Sequence, residues 1–192
     1  LASVLIDSAV RPSPPQTLAN FGIGTLDDPM LLDRHVNLHA PQFDDDRAAV
    51  ISRALASGVR LMVNICDRVS NFEAVRRVAQ NPDIWCTVGT HPHEAKEDPT
   101  LSAAALVALA ADSRVVGIGE TGLDFHYDLS PRDIQATVFR AHIAAARETG
   151  LPLVVHTREA DEAMATILEE EHARGAFRIL MHCYTAGAEL AA

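Results

Sequence analysis

Five apolar runs along this chain, at 31–35, 84–91, 115–120, 153–156 and 179–182, close on His35, His91, Glu120, His156 and His182. Imidazole and carboxylate are the side chains that bind divalent cations through nitrogen and oxygen. Placed at the tips of successive strands, they converge only if the strands run parallel and curl, because parallel strands bring all their C-terminal ends to one mouth. The pattern restricts the fold to a curved parallel α/β sheet and places a metallohydrolase-type site at its mouth.

The alternation behind those tips has a period. Strand-like runs lie at 31–38, 61–65, 84–89, 115–119, 153–156 and 179–182, with helical stretches at 45–57, 69–80, 101–111, 131–149 and 160–173 between them. Gly58, Gly150 and Gly175 stand just past helix ends, and Ser130-Pro131 reads as an N-cap followed by the first helical position. Strand ends near 35, 65, 91, 120, 156 and 182 recur about every 30 residues, close to the roughly 31 of a (β/α)8 barrel. The expected fold is therefore a TIM-type (β/α) barrel. A doubly wound open sheet is the alternative, weakened because no Gly-rich phosphate turn follows the first strand.

Six such units are visible, and about 160 residues follow Met30, against roughly 250 in a complete barrel. About six of eight units are thus expected. The first and sixth strands would be open edges needing cover from another chain, so an oligomer or a longer coding sequence is anticipated. Residues 1–29, broken by Pro12, Pro14, Pro15 and Pro29, read as an irregular N-terminal extension ahead of a 30–192 hydrolase domain.

Composition narrows the class. No apolar run approaches the length needed to span a bilayer, so no membrane partner is expected. Cys66, Cys86 and Cys183 match neither a disulfide framework nor a zinc knuckle, which favours a reducing, cytoplasmic setting. A net charge of -10 excludes a broad basic face for nucleic acid, so a phosphate-bearing substrate would be held by metal ions and a few arginines.

Around the strand tips the residue types are specific. The strand period of two puts His35, Asn37 and His39 on one face, although His39 would sit roughly 13 Å beyond His35. Glu120 follows a buried strand among glycines, where a carboxylate needs cations or a partner such as Arg158. Asp124 either touches substrate or caps the turn towards Tyr127 and Asp128. Arg158, two residues past His156, suits bidentate phosphate binding or an ordinary pair with Glu159 or Asp161. His91 and His93 flank Pro92 in an extended turn and suit substrate or proton handling. Cys183 is expected to be a buried thiol beside the site, while His126, His142 and His172 read as exposed imidazoles.

These segments resemble the TatD family of metal-dependent deoxyribonucleases and hydrolases. The likeness runs from Met30 to the end and rests on Gly119-Glu120-Thr121-Gly122-Leu123-Asp124, on the run from Pro152 through His156 and Arg158, on His182-Cys183-Tyr184, and on Gly89 to His93. It implies a site for two divalent cations, magnesium, zinc or manganese, with Glu120 bridging them. His156 and His182 would hold one, and His35 with position 37 the other. It also implies phosphodiester hydrolysis by a metal-activated water, with DNA or a related polymer as substrate. Two departures stand out: Asn37 replaces the second histidine of the family's usual His-x-His, and the family's Asp after the eighth strand has no counterpart. A barrel amidohydrolase, esterase or lactonase, or a catalytically impaired fragment, remain the alternative readings.

Overall fold

The computed structural model describes residues 4–6, 31–182, 184–188 and 190. Six parallel strands form its body: β2 (Leu31–Val36), β3 (Val59–Asn64), β4 (Ile84–Val88), β5 (Val115–Asp124), β6 (Leu153–Arg158) and β7 (Ile179–Met181). Between them run α1 (Arg47–Ala56), α2 (Phe72–Val78), α3 (Ala103–Ala110), α4 (Arg132–Thr149) and α5 (Asp161–His172). The sheet order follows the chain from β2 to β7, every pair parallel, as β/α units wound in one direction require. The sheet is curled: rings at its two far tips, His35 near the end of β2 and His182 just after β7, stack 4.0 Å apart. The expected barrel thus takes the form of a half-barrel of six units.

Two expectations about the chain's early part change. The short strand β1 (Val4–Ile6), inside the segment read as irregular, pairs antiparallel with β7. The sixth parallel strand therefore is not an open edge. The prolines of the extension, Met30 and Cys183 lie outside the described residues.

The core lies on both faces of the central strands, which explains why those runs read as continuously apolar. Ile84, Cys86 and Val88 of β4, Ile118 of β5 and Leu153 and Val155 of β6 are all completely buried. Helices cover the outer face through stripes at helical spacing, such as Phe139, His142, Ile143 and Ala146 on α4. That helix ends as the sequence predicts, with Gly150 at φ 69° and its N–H donating to the Ala146 carbonyl. Its start differs. Pro131, in an extended conformation, occupies the cap position without a side-chain cap. The Ser130 hydroxyl is used elsewhere, accepting the Lys96 N–H and donating to the His93 carbonyl.

Candidate metal centre

Glu120 is the hub of the site, and an irregularity in the sheet aims it there. In the β5–β6 pairing, Gly119 faces Val154 and Thr121 faces Val155, so Glu120 is an extra residue with no partner across the ladder. A bulge of this kind re-directs a side chain out of the regular alternation, and it extends β5 five residues past its expected end. Gly122 lets the strand continue beside β6. It has φ +142°, and a Cβ there would lie 1.9 Å from the His156 carbonyl oxygen.

Around Glu120 the imidazoles divide between its two oxygens. His35 Nε2 lies 3.7 Å from Oε2, while His156 Nδ1 and His91 Nε2 lie 3.4 and 4.0 Å from Oε1. His182 completes the first group: one donor atom from each of His35, Glu120 and His182 falls within 4.8 Å of the others. The glutamate is 5% exposed. Burial opposes its ionisation, but His156, His91, His35 and His182 outweigh that and hold its pKa down to about 2. It is a carboxylate at any physiological pH.

A second carboxylate stands behind the first. Asp124 is completely buried and uses both oxygens. Oδ1 accepts the backbone N–H groups of His126 and Tyr127, at 3.1 and 2.8 Å. Oδ2 lies 2.8 Å from His93 Nε2 and 3.0 Å from His156 Nε2. Of the two roles open in the sequence, the turn cap is the one seen, and the second oxygen is taken by the two imidazoles. Burial raises its pKa, and these donors more than offset that, bringing it to about 2. Its own N–H donates to Gln135 Oε1, and the Gln135 amide donates to the Asp124 and Ser130 carbonyls. Gln135, not singled out by sequence, and Ser130, read there only as a helix cap, thus fix the Asp124 turn and the His93 loop from behind.

His156 stands between two carboxylates, with Nε2 3.0 Å from Asp124 Oδ2 and Nδ1 3.4 Å from Glu120 Oε1. A cation held at Nδ1 would leave the ring's one proton on Nε2, donating to Asp124, the carboxylate-oriented arrangement typical of a metal-ligating histidine. His91 is wired the opposite way. Its Nδ1 accepts the His93 backbone N–H at 3.2 Å, so its proton sits on Nε2 and it points a donor at Glu120. Burial pushes its pKa down to about 3 against the pull of Glu120, so the ring stays neutral. His156 shifts the other way: burial lowers its pKa, but Glu120 and Asp124 raise it on balance.

The donor set suits divalent cations. Two ligands each roughly 2.0–2.1 Å from one tetrahedral ion stand about 3.3 Å apart, and the Glu120 separations of 3.4 and 3.7 Å match that spacing better than hydrogen bonding. His35 Nδ1, buried and with no hydrogen-bond partner among the described residues, is also an unsatisfied polar atom in this cluster. His93 and Asp124 stand at hydrogen-bond distance and read as support.

Other sequence expectations resolve differently. Asn37 is exposed past the end of β2, its carbonyl accepting the Ala40 N–H in a turn. His39 turns away from the cluster, with Nε2 3.1 Å from Asp67 Oδ1 and Nδ1 3.5 Å from Asn64 Oδ1. Glu120 is paired with imidazoles instead of Arg158. Arg158 lies over the Tyr127 ring, 4.7 Å from its centroid, and donates to the phenol oxygen at 3.3 Å. His182 groups with His35, while His156 lies by Glu120 Oε1, the oxygen opposite the one His35 faces. The largest correction concerns His142, read as exposed and found completely buried. Its Nε2 accepts the Thr90 N–H at 2.9 Å and its Nδ1–H donates to the Val138 carbonyl at 2.7 Å, so it holds the His91 loop from the core. Its place three residues after Phe139 and four after Val138 was the available signal, because that spacing puts it on the buried stripe.

A curled parallel sheet gathering five imidazoles and two carboxylates at its C-terminal mouth defines the metal-dependent hydrolase class of (β/α) barrels. Comparison with known proteins narrows this: the chain belongs to the TatD-related DNase family, whose model matches residues 32–192. It is 43% identical over 163 residues to an uncharacterized metal-dependent hydrolase, YabD, of Bacillus subtilis, covering 84% of this chain and 64% of that protein. It is 38% identical over 157 residues to the 3'-5' ssDNA/RNA exonuclease TatD of Erwinia tasmaniensis, covering 81% and 60%. Among solved structures, a TatD-family hydrolase of Entamoeba histolytica superposes with a TM-score of 0.72 at 21% identity, covering 84% of this chain and 60% of that one. The TatD homologue YJJV of Escherichia coli superposes with a TM-score of 0.69 at 22% identity, covering 84% and 62%. The chain therefore spans less than two thirds of the length of these relatives.

Proposed function

We propose that this chain carries the metal-binding mouth of a nuclease that hydrolyses phosphodiester bonds of single-stranded nucleic acid with two divalent cations. The observation that supports it most is the division of imidazoles between the two oxygens of one buried carboxylate. His35 faces Oε2 and groups with His182 around the same carboxylate, and His156 faces Oε1 through Nδ1. Glu120 would bridge the two cations. When bound, such ions lower the pKa of water from 15.7 towards about 7 and offset phosphoryl charge during in-line attack. The relatives named as ssDNA/RNA exonucleases supply the substrate class.

The chain's own groups divide the remaining work. Asp124 fixes the His156 tautomer and anchors His93. His91, neutral with its proton on Nε2, would offer that N–H to substrate at the mouth. His93, partly exposed, holds or passes a proton at its ring while Asp124 keeps it oriented. Arg158 supplies a fixed cation for phosphate. Asn37 is left as a neutral, exposed neighbour. The free, buried thiols Cys66 and Cys86 support a reducing cytoplasmic location, and no helix among the described residues is long and apolar enough to cross a membrane.

The test combines metal titration by calorimetry with shortening of a 3′-labelled single-stranded oligonucleotide. Two bound Mn2+ or Zn2+ ions and chelator-sensitive shortening are expected. Glu120→Gln should lower metal affinity at least about a hundredfold, the upper end of what even supporting residues contribute. Turnover of amides, esters or lactones with intact oligonucleotide would overturn the reading.

A further inference from the structure

Four large apolar side chains are exposed among the described residues, and they fall in two places. Leu31 and Leu32 lie on the β2 edge, while Tyr127 and Leu129, each 52% exposed, lie on the loop after β5. Tyr127 is tied to the metal centre twice. Its N–H donates to Asp124 Oδ1, the carboxylate whose other oxygen holds His93 and His156, and its ring meets the His93 ring edge-on at 5.4 Å.

The ring is also braced. Arg158 lies over it at 4.7 Å and bonds its hydroxyl, and His126 meets it edge-on at 4.7 Å. The next residue on each of the two loops, Asp128 after Tyr127 and Glu159 after Arg158, has positive φ, at 53° and 52°. They are the only non-glycine residues in that conformation among those described, and such strain persists where surrounding contacts hold it. Here Arg132 grips the Asp128 carboxylate at 2.9–3.2 Å and the His126 ring lies 2.7 Å from Glu159 Oε1. Tyr127 and Arg158 are thus presented together at the mouth by ordered loops.

Resting on the nuclease reading above, we propose that Tyr127 with Arg158 is a nucleobase-stacking platform, which receives an unpaired base beside the bond held at the metal centre. A protein with net charge -10 has little general attraction for a polyanion, so affinity must come from metal ions and from contacts with the bases themselves. Aromatic stacking does this without regard to sequence, since every base has a π-face. The guanidinium over the ring keeps further N–H donors for the phosphate next to that base. Double-stranded ends, whose terminal bases remain stacked in the duplex, would use the platform poorly.

The test measures binding of a dye-labelled single-stranded oligonucleotide in Mn2+ by anisotropy, beside the same oligonucleotide with abasic sites at its 3′ end. Tyr127→Ala should weaken binding of the intact strand by between about 5-fold and about 100-fold, with Tyr127→Phe close to wild type. The abasic strand should bind wild type more weakly and show no further loss with Tyr127→Ala. Equal binding of the intact strand by wild type and Tyr127→Ala, with metal-dependent shortening intact, overturns the platform and leaves the nuclease reading standing. An equal loss on intact and abasic strands also overturns it, because the ring would then act through the fold. No binding of any oligonucleotide by the wild type overturns both.

Discussion

At the scale of single residues, histidine does four different jobs in this molecule, and the hydrogen bond at the second nitrogen decides which. His156 is held between Asp124 and Glu120, His91 accepts a backbone N–H and shows a proton, and His126 pairs with Glu159 at the surface. His142 is spent wholly on structure, joining α4 to the loop before His91. His142→Leu should leave the buried Thr90 N–H without an acceptor and lower unfolding free energy by about 1–3 kcal/mol in urea melts, with His142→Gln recovering much of it. The same ring makes stability depend on pH. Burial holds its pKa down to about 4, against smaller opposing effects of the Val138 carbonyl and of Asp98, which reaches it through Thr90. The unfolded chain, with its histidine near 6.5, takes up the proton first, so stability is full above that pH and falls as pH drops towards 4. Melting temperatures between pH 7 and 4 should fall less steeply in His142→Gln than in wild type. The sequence shows which residue types crowd the strand tips, but the second-nitrogen partners that assign their roles come from elements up to 52 residues away. Pattern alone cannot supply them.

Among the elements, the six parallel strands and five helices were legible because long, strongly periodic segments follow the burial that produces them. The misjudged boundaries share a cause. β5 runs on to Asp124 because a bulge and two positive-φ glycines carry it past Glu120, features with no apolar signature. α4 starts without the Ser130 cap because that hydroxyl serves the His93 loop, and one donor and acceptor cannot satisfy both. Two glycines separate crowding from conformation alone. Gly122→Ala would force a Cβ to within 1.9 Å of a backbone oxygen on β6, opening the pairing that sets His156 against Glu120. Gly150→Ala meets nothing within 4 Å and bears only the left-handed conformation, a cost of about 1–2 kcal/mol. Thermal melts should place Gly150→Ala a few degrees below wild type with metal affinity retained, and Gly122→Ala unfolded or without measurable metal binding.

For the molecule as a whole, the sheet's curl matters most, because it brings residues 147 apart in sequence, His35 and His182, into one stack. That curl leaves the sheet's two sides unequal. β7 is paired on both sides, while β2 ends the sheet order with Leu31 and Leu32 exposed at 55% and 49%. An edge strand bearing apolar side chains and unpaired backbone groups templates pairing with another chain. The net charge of -10 opposes such contact at low ionic strength, but screening shortens its reach to about 10 Å at 0.1 M salt. Self-association of this chain should therefore grow with added salt, the reverse of what a charge-driven contact would show. Leu32→Lys places a charge on the edge without touching the metal centre and should suppress it. Sedimentation velocity over a range of concentrations, at low and moderate salt, decides the matter: a wild type that stays monomeric at both, or a Leu32→Lys variant that associates equally well, would show that the β2 edge is not the sticky surface.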